Sequence, residues 1–149
     1  MEITTKKDDK TKIEYAKVKV FLSQPMNGLS DDEILLTRKN MLKLLQENSA
    51  TVLQFAIEDK YDYNFDFEYL ENSKVDIEII DNTQFDEKLD LQYLGYDIDK
   101  MAEADVVVFA PGWENSRGCK VEFHIASEYK YRCMFINGCM LTSGNISIL

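Results

Sequence analysis

The stretch Ala104-Asp105-Val106-Val107-Val108-Phe109-Ala110-Pro111-Gly112-Trp113-Glu114-Asn115-Ser116-Arg117-Gly118-Cys119-Lys120-Val121-Glu122 changes character twice. Its first part is almost wholly apolar, as in a strand covered on both faces. Pro111 and Gly112 break that run, and a helix follows from Arg117. Strand, loop and helix in this order form the unit of an open parallel sheet, whose ligands sit beyond the carboxyl ends of the strands. The helix start offers backbone N–H groups to an anion such as a phosphate. Glu122, on the first turns, adds a carboxylate, and the helix dipole is expected to lower its pKa and keep it ionised.

Outward from this stretch, Leu89, Leu91, Leu94, Ile98, Met101 and Ala102 recur at helical intervals and predict a helix over 87–104. Residues 117–130 continue as a helix and 133–136 as a short strand, after which Asn137-Gly138 turns the chain into a tail over 139–149. Upstream, Val18-Lys19-Val20-Phe21-Leu22 is a β-rich run ending in the Pro- and Gly-bearing loop over 23–28. Ser30 with Glu33 has capping-box spacing and opens a helix reaching about residue 47. Thr51-Val52-Leu53-Gln54-Phe55-Ala56-Ile57 reads as the next strand. Tyr61-Asp62-Tyr63-Asn64-Phe65-Asp66-Phe67-Glu68-Tyr69 alternates with period 2, as does Val75-Asp76-Ile77-Glu78-Ile79, which predicts a β-hairpin-like insertion around 58–80. A local helix over 62–71 is the competing reading. The aromatic stripe would face either the core or another subunit. The pattern is an open α/β sandwich with a modified middle.

A length of 149 residues with 45% apolar content suits one core, and the expected organisation is a mobile N-terminal arm over 1–12 followed by a single domain over 13–149. A formal charge of −10 argues against nucleic-acid partners, because 17 basic residues cannot neutralise a phosphate backbone from within such an acidic surface. No apolar run is long enough for a membrane span. Cys119, Cys133 and Cys139 have neither disulfide nor zinc spacing, so a reducing cytoplasm without a bound metal is expected.

Neither loop carries GxGxxG or a P-loop. The combination of Phe21-Leu22-Ser23-Gln24-Pro25-Met26-Asn27-Gly28, Ala104-Asp105-Val106-Val107-Val108 and Ser116-x-Gly118-x-x-x-Glu122 resembles the nucleoside 2-deoxyribosyltransferase superfamily. That group includes deoxynucleoside 5'-monophosphate N-glycosidases. Leu94-Gly95 with Gly112-Trp113-Glu114-Asn115-Ser116-Arg117-Gly118-Cys119 is similar to small phage and bacterial members. The similarity spans about half of the chain.

The resemblance implies a flavodoxin-like, mostly parallel sheet with helices on both faces, and cleavage of an N-glycosidic bond. Glu122 matches the nucleophile that forms a glycosyl-enzyme intermediate, and Asp105 a carboxylate that handles the leaving group's proton. Ser116 and Gly118 match a phosphate-holding turn. Ser23, Gln24, Pro25, Met26, Asn27 and Gly28 match the wall against sugar and base. Gly112 belongs to the same ligand-facing loop, and Arg117 can clamp a phosphate bidentately or face solvent. Trp113 either stacks on a nucleobase or plugs its loop onto the domain; stacking is preferred because the surrounding loop is short and polar. The expected partner is a nucleoside or nucleotide, with no cofactor, and the resemblance implies a homo-oligomer, dimer or higher. Hydrolysis and transfer are not distinguished. The alternative is a non-catalytic binder that sequesters a nucleotide-derived small molecule, as a phage-encoded inhibitor would.

Overall fold

The computed structural model describes residues 1–58, 64–82, 89–138 and 140–143. In chain order these form strand β1 (Glu2–Thr5), strand β2 (Ile13–Ser23), helix α1 (Asp31–Glu47), helix α2 (Ser49–Ile57) and strand β3 (Lys74–Ile79). Helix α3 (Asp90–Met101), strand β4 (Val106–Phe109), helix α4 (Arg117–Glu128), strand β5 (Cys133–Asn137) and strand β6 (Met140–Ser143) follow.

The long strand β2 is the spine of a six-stranded sheet. One of its edges pairs in parallel with β3, from Tyr15↔Lys74 to Val20↔Ile79. The other edge is shared end to end: β1 lies antiparallel along residues 13–17, and β4 lies parallel along residues 20–23. β4 then pairs in parallel with β5, and β5 antiparallel with β6. The sheet is therefore mixed, with a parallel block in the spatial order β3-β2-β4-β5. This is an open α/β architecture, as the alternation of elements in the sequence predicts.

Side-chain alternation along β2 divides the core. Val18, Val20 and Leu22 join Val106, Val108, Met134 and Ile136 on the face covered by Met41 and Leu45 of α1 and by Val52, Leu53, Ala56 and Ile57 of α2. Phe21, Val107, Phe109 and Phe135 lie on the opposite face under Met101 of α3 and Cys119 and Ala126 of α4. β4 is buried along its whole length, as expected of a strand covered on both faces.

Three local expectations are corrected. Residues 51–57 are not a strand but most of α2; the buried Val52, Leu53, Ala56 and Ile57 fall at helical spacing, and a short apolar run does not by itself separate the two periods. No β-hairpin occupies the described part of 58–80. β3 pairs in parallel with β2, and the chain enters it through a 3₁₀ turn at Glu68–Asn72 that buries Leu70. In the aromatic stripe, Phe65 leans on the α1/α2 core, Phe67 is exposed, and the Lys6 and Lys12 ammoniums lie 5.3 and 5.8 Å from the Tyr69 ring centre. Residues 61–63 of the stripe, and 139 and 144–149 of the expected tail, lie outside the described residues. The third correction concerns the N-terminal arm. Its residues 2–5 form β1, because β2 extends beyond β4 and leaves an edge for the chain to pair with, and Ile3 packs against the core.

Candidate functional site

In the parallel block, the connections from β2 and from β4 run to opposite faces of the sheet, so a crevice opens between the carboxyl ends of these neighbouring strands. Ser23 ends β2, level with Phe109 at the end of β4. From there the chain turns into two loops that meet, because a Cβ placed on Gly112 would lie 3.8 Å from Pro25 Cγ. Gly112 sits at φ 85° and Gly28 at φ 78°, the left-handed region that only glycine enters freely. Gly28 lies in a turn closed by Leu29 N–H donating to the Met26 carbonyl at 3.2 Å.

α4 starts where the sequence predicts. Ser116 is its N-cap, its Oγ accepting from the Cys119 N–H at 3.3 Å. Glu122 stands beyond the first turn, only 5% exposed, and its Oε1 accepts a 3.1 Å hydrogen bond from the Ser23 hydroxyl. Its Oε2 is buried with no hydrogen-bond partner among the described residues. The expected lowering of its pKa is corrected: burial raises the carboxyl to about 8, the Asp97 charge adds to the rise, and the Ser23 bond opposes it. A dipole acts within the first turn of a helix, and Glu122 lies past it.

The carboxylate whose charge acts on Glu122 is Asp97 of α3, not Asp105. Burial raises the Asp97 pKa, while a hydrogen bond from Asn82 and the charge of Arg38 lower it. The Asn82 side-chain nitrogen donates to Asp97 Oδ1 at 3.1 Å. Arg38 of α1 donates through Nη2 to Asn82 Oδ1 at 3.0 Å and through Nε to Gln24 Oε1 at 3.3 Å. Gln24 in turn donates to the Ile34 carbonyl at 3.2 Å. Ser23, Gln24, Asn82 and Glu122 are all buried, and Arg38 and Asp97 half-buried. Cys119 lies against the same group, its thiol pKa raised by burial and by the nearby Glu122 and Asp97, with hydrogen bonds to Ser116 and Ser23 opposing.

Asp105 stands at the opposite end of the sheet. It precedes β4, accepts the Lys19 N–H at 2.8 Å and pairs with the Met1 amine at 3.4 Å. Four residue steps along the strand carry the chain from Asp105 to Phe109, or about 13 Å at about 3.3 Å per residue. A depression of about 710 Å³ lined by Ala104, Asp105, Tyr129 and Arg132 belongs to that far end.

The other expected site residues divide by exposure. Trp113 is 5% exposed and packs among Phe109, Phe123 and Phe135, with ring centres 5.0–5.3 Å away. It plugs the β4–α4 loop onto the domain, and the stacking expectation is corrected. Arg117 is exposed and lies 3.5 Å from Asp90, so it is not poised as a clamp inside the crevice. Met26, Asn27, Gly28, Gly112 and Gly118 are exposed, with Pro25 and Ser116 half-buried. At Gly118 a Cβ would meet nothing within 4 Å, which leaves the start of α4 open to approach.

Arg38, Asn82 and Asp97 are absent from the sequence-based expectations. A signal for two of them exists: Arg38 falls on the buried stripe of α1 with Ile34, Met41 and Leu45, and Asp97 between Leu94 and Met101 on α3. A charge at an inward-facing helical position needs a polar partner.

Comparison with curated proteins and with solved structures found no match. A family model described as a domain of unknown function, DUF4406, matches residues 18–135, the segment that holds β4, α4 and every residue of the cluster around Glu122. The chain belongs to the DUF4406 family.

Proposed function

We propose that the protein cleaves or transfers the N-glycosidic bond of a nucleoside or nucleotide, with Glu122 as nucleophile and Asp97, in place of Asp105, as carrier of the leaving group's proton. The reading rests on one observation. Glu122 is held by Ser23, at the end of β2, through one oxygen, presents a buried second oxygen with no partner among the described residues, and feels the charge of another carboxylate, Asp97.

Burial raises both carboxyls and the Asp97 charge raises Glu122 further, so in this reading the pair carries one proton near neutral pH. That inventory balances the first half-reaction. Asp97 accepts the proton of Glu122 and passes it to the base nitrogen as the C–N bond breaks and its electron pair leaves with the base. Glu122 then bonds to the anomeric carbon. Water, or a second base, resolves the ester and returns the proton. The scheme draws on no metal or redox cofactor. Numbered by chain order, the parallel strands run 2-1-3-4, the order of a flavodoxin-like sheet, and the crevice between 1 and 3 is where that fold binds its ligand. The exposed Gly118 backbone and Ser116 at the start of α4 suit a phosphate on the sugar. Exposed Met26, Leu29, Leu35 and Leu36 around the site loop and α1 support a second subunit of a homo-oligomer at the mouth. The thiol pattern fits the cytoplasm.

The test is incubation with deoxynucleosides and their monophosphates followed by chromatography. Free base is expected from the wild type, and Glu122→Gln should release it at least about 10³-fold more slowly while still binding the ligand. Ligand recovered unmodified in stoichiometric amount would establish a binder instead, and undiminished turnover by Glu122→Gln would remove Glu122 from the nucleophile's role.

A further inference from the structure

The hydrogen-bond ladder leading to Asp97 has a direction built into it. A guanidinium only donates, so the Asn82 atom against Arg38 Nη2 must be the amide oxygen. Its nitrogen is thereby turned toward Asp97, where it can only donate. The same logic fixes Gln24, whose oxygen takes Arg38 Nε and whose nitrogen takes the Ile34 carbonyl. No flipped amide is compatible with this pattern. Arg38 is thus fastened at two points by neutral oxygens, and its charge reaches Asp97 through one intervening amide.

We propose that Arg38 and Asn82 are positioning residues that assign the single proton of the Glu122–Asp97 pair, holding Asp97 as the carboxylate and leaving the proton on Glu122 in the resting site. This rests on the reading that these two acids form the reactive pair. A donor aimed at Asp97 stabilises its ionised form, and the guanidinium behind Asn82 does the same. Among the described residues Glu122 receives only the Ser23 hydroxyl, and the Asp97 charge acts on it, so its neutral form is favoured. The groups acting on the pair are Arg38 from α1, Asn82 after β3, Ser23 from β2 and Cys119 from α4, while Asp81 acts on Arg38 and tempers its charge. The consequence for the chemistry is specific: the nucleophile rests protonated beside an ionised acceptor, the arrangement from which one proton transfer both frees Glu122 and loads Asp97.

The experiment is a carbon-detected titration of the side-chain carboxyls in the full-length protein without substrate, with resonances assigned by Glu122→Gln and Asp97→Asn. In the wild type Asp97 is expected to titrate below Glu122; the reverse order overturns the proposal without any Arg38 variant. In Arg38→Met the two midpoints should approach each other by about one pH unit or more, Asp97 rising and Glu122 falling. Arg38→Lys, which keeps the charge and loses the fork, should fall between. Unchanged midpoints in a variant whose amide spectrum is that of the folded protein overturn the proposal. So does a shift of both midpoints in the same direction, which marks a general change in burial. If Arg38→Met does not fold, the wild-type order and the Lys variant decide. Because no substrate is present, the titration and the base-release assay fail independently: the expected titration without released base removes the N-glycosidase reading alone, and released base with the reversed order removes this proposal alone.

Discussion

The chemistry of Glu122 is set by what surrounds its carboxyl rather than by the helix that carries it. Burial and the charge of Asp97 raise its pKa from an ordinary 4.5 to about 8, so the folded protein binds this proton more tightly than the unfolded chain does. Folding is therefore favoured by this group most fully below about pH 4.5, and the contribution is lost as pH rises through about 8. Glu122→Gln keeps a neutral side chain of similar shape at every pH. In urea unfolding, the variant should gain stability relative to the wild type between about pH 5 and pH 9, by a few kcal/mol at most, since a tenfold change in proton affinity is worth about 1.4 kcal/mol. An equal difference between the two proteins at both pH values would show that Glu122 titrates normally. Asp97 changes the wild-type profile in the same sense, which is why the comparison is made between the two proteins.

Among the elements, α1 shows how far local rules reach. Ser30 Oγ accepts the Glu33 N–H at 3.2 Å and Glu33 reaches back to the Ser30 N–H at 3.4 Å, the capping box that the Ser30-to-Glu33 spacing announces. Ser30→Ala should lower stability by about 1 kcal/mol without altering the pH dependence, measured by urea denaturation. A loss below about 0.3 kcal/mol would mean that tertiary contacts alone hold this end of the helix. α4 is equally legible from the helix expected after Gly112, β4 from its apolar run, and Glu122 and Ser23 from the loop-and-helix pattern. The elements that depart from expectation share a cause. Residues 51–57 are so apolar that helix and strand periods overlap, and the alternation at 61–69 belongs to a chain that, where described, is not a strand. The polar sequence neighbours of Trp113 conceal a partner set, Phe109, Phe123 and Phe135, that only folding assembles. Arg38, Asn82 and Asp97 converge from α1, the end of β3 and α3, and no local spacing joins them.

Across the whole molecule, the parallel block fixes which end of the sheet each carboxylate occupies. Parallel strands bring all their carboxyl ends to one side, so Ser23, Asn82 and the start of α4 meet there while residues preceding β4 are carried to the other side. Asp105 and Asp97 are only eight positions apart in sequence, yet α3 returns the chain across the sheet between them, and they serve opposite ends. Asp105 accepts the Lys19 N–H and pairs with the Met1 amine, tying β1 and β4 where they meet along β2. Asp105→Asn keeps an acceptor for Lys19 but loses the charge. It should lower stability by about 1–3 kcal/mol while leaving base release within about twofold of the wild type. Asp97→Asn, at the site end, should slow base release at least about 10²-fold, in line with loss of a group that moves a proton. The two variants, measured side by side for urea midpoint and for released base, separate the roles. An Asp105→Asn protein that folds normally but releases no base would return the proton carrier to position 105 and require the chain before β4 to reach the crevice, against the register that pairs Val20 with Val106.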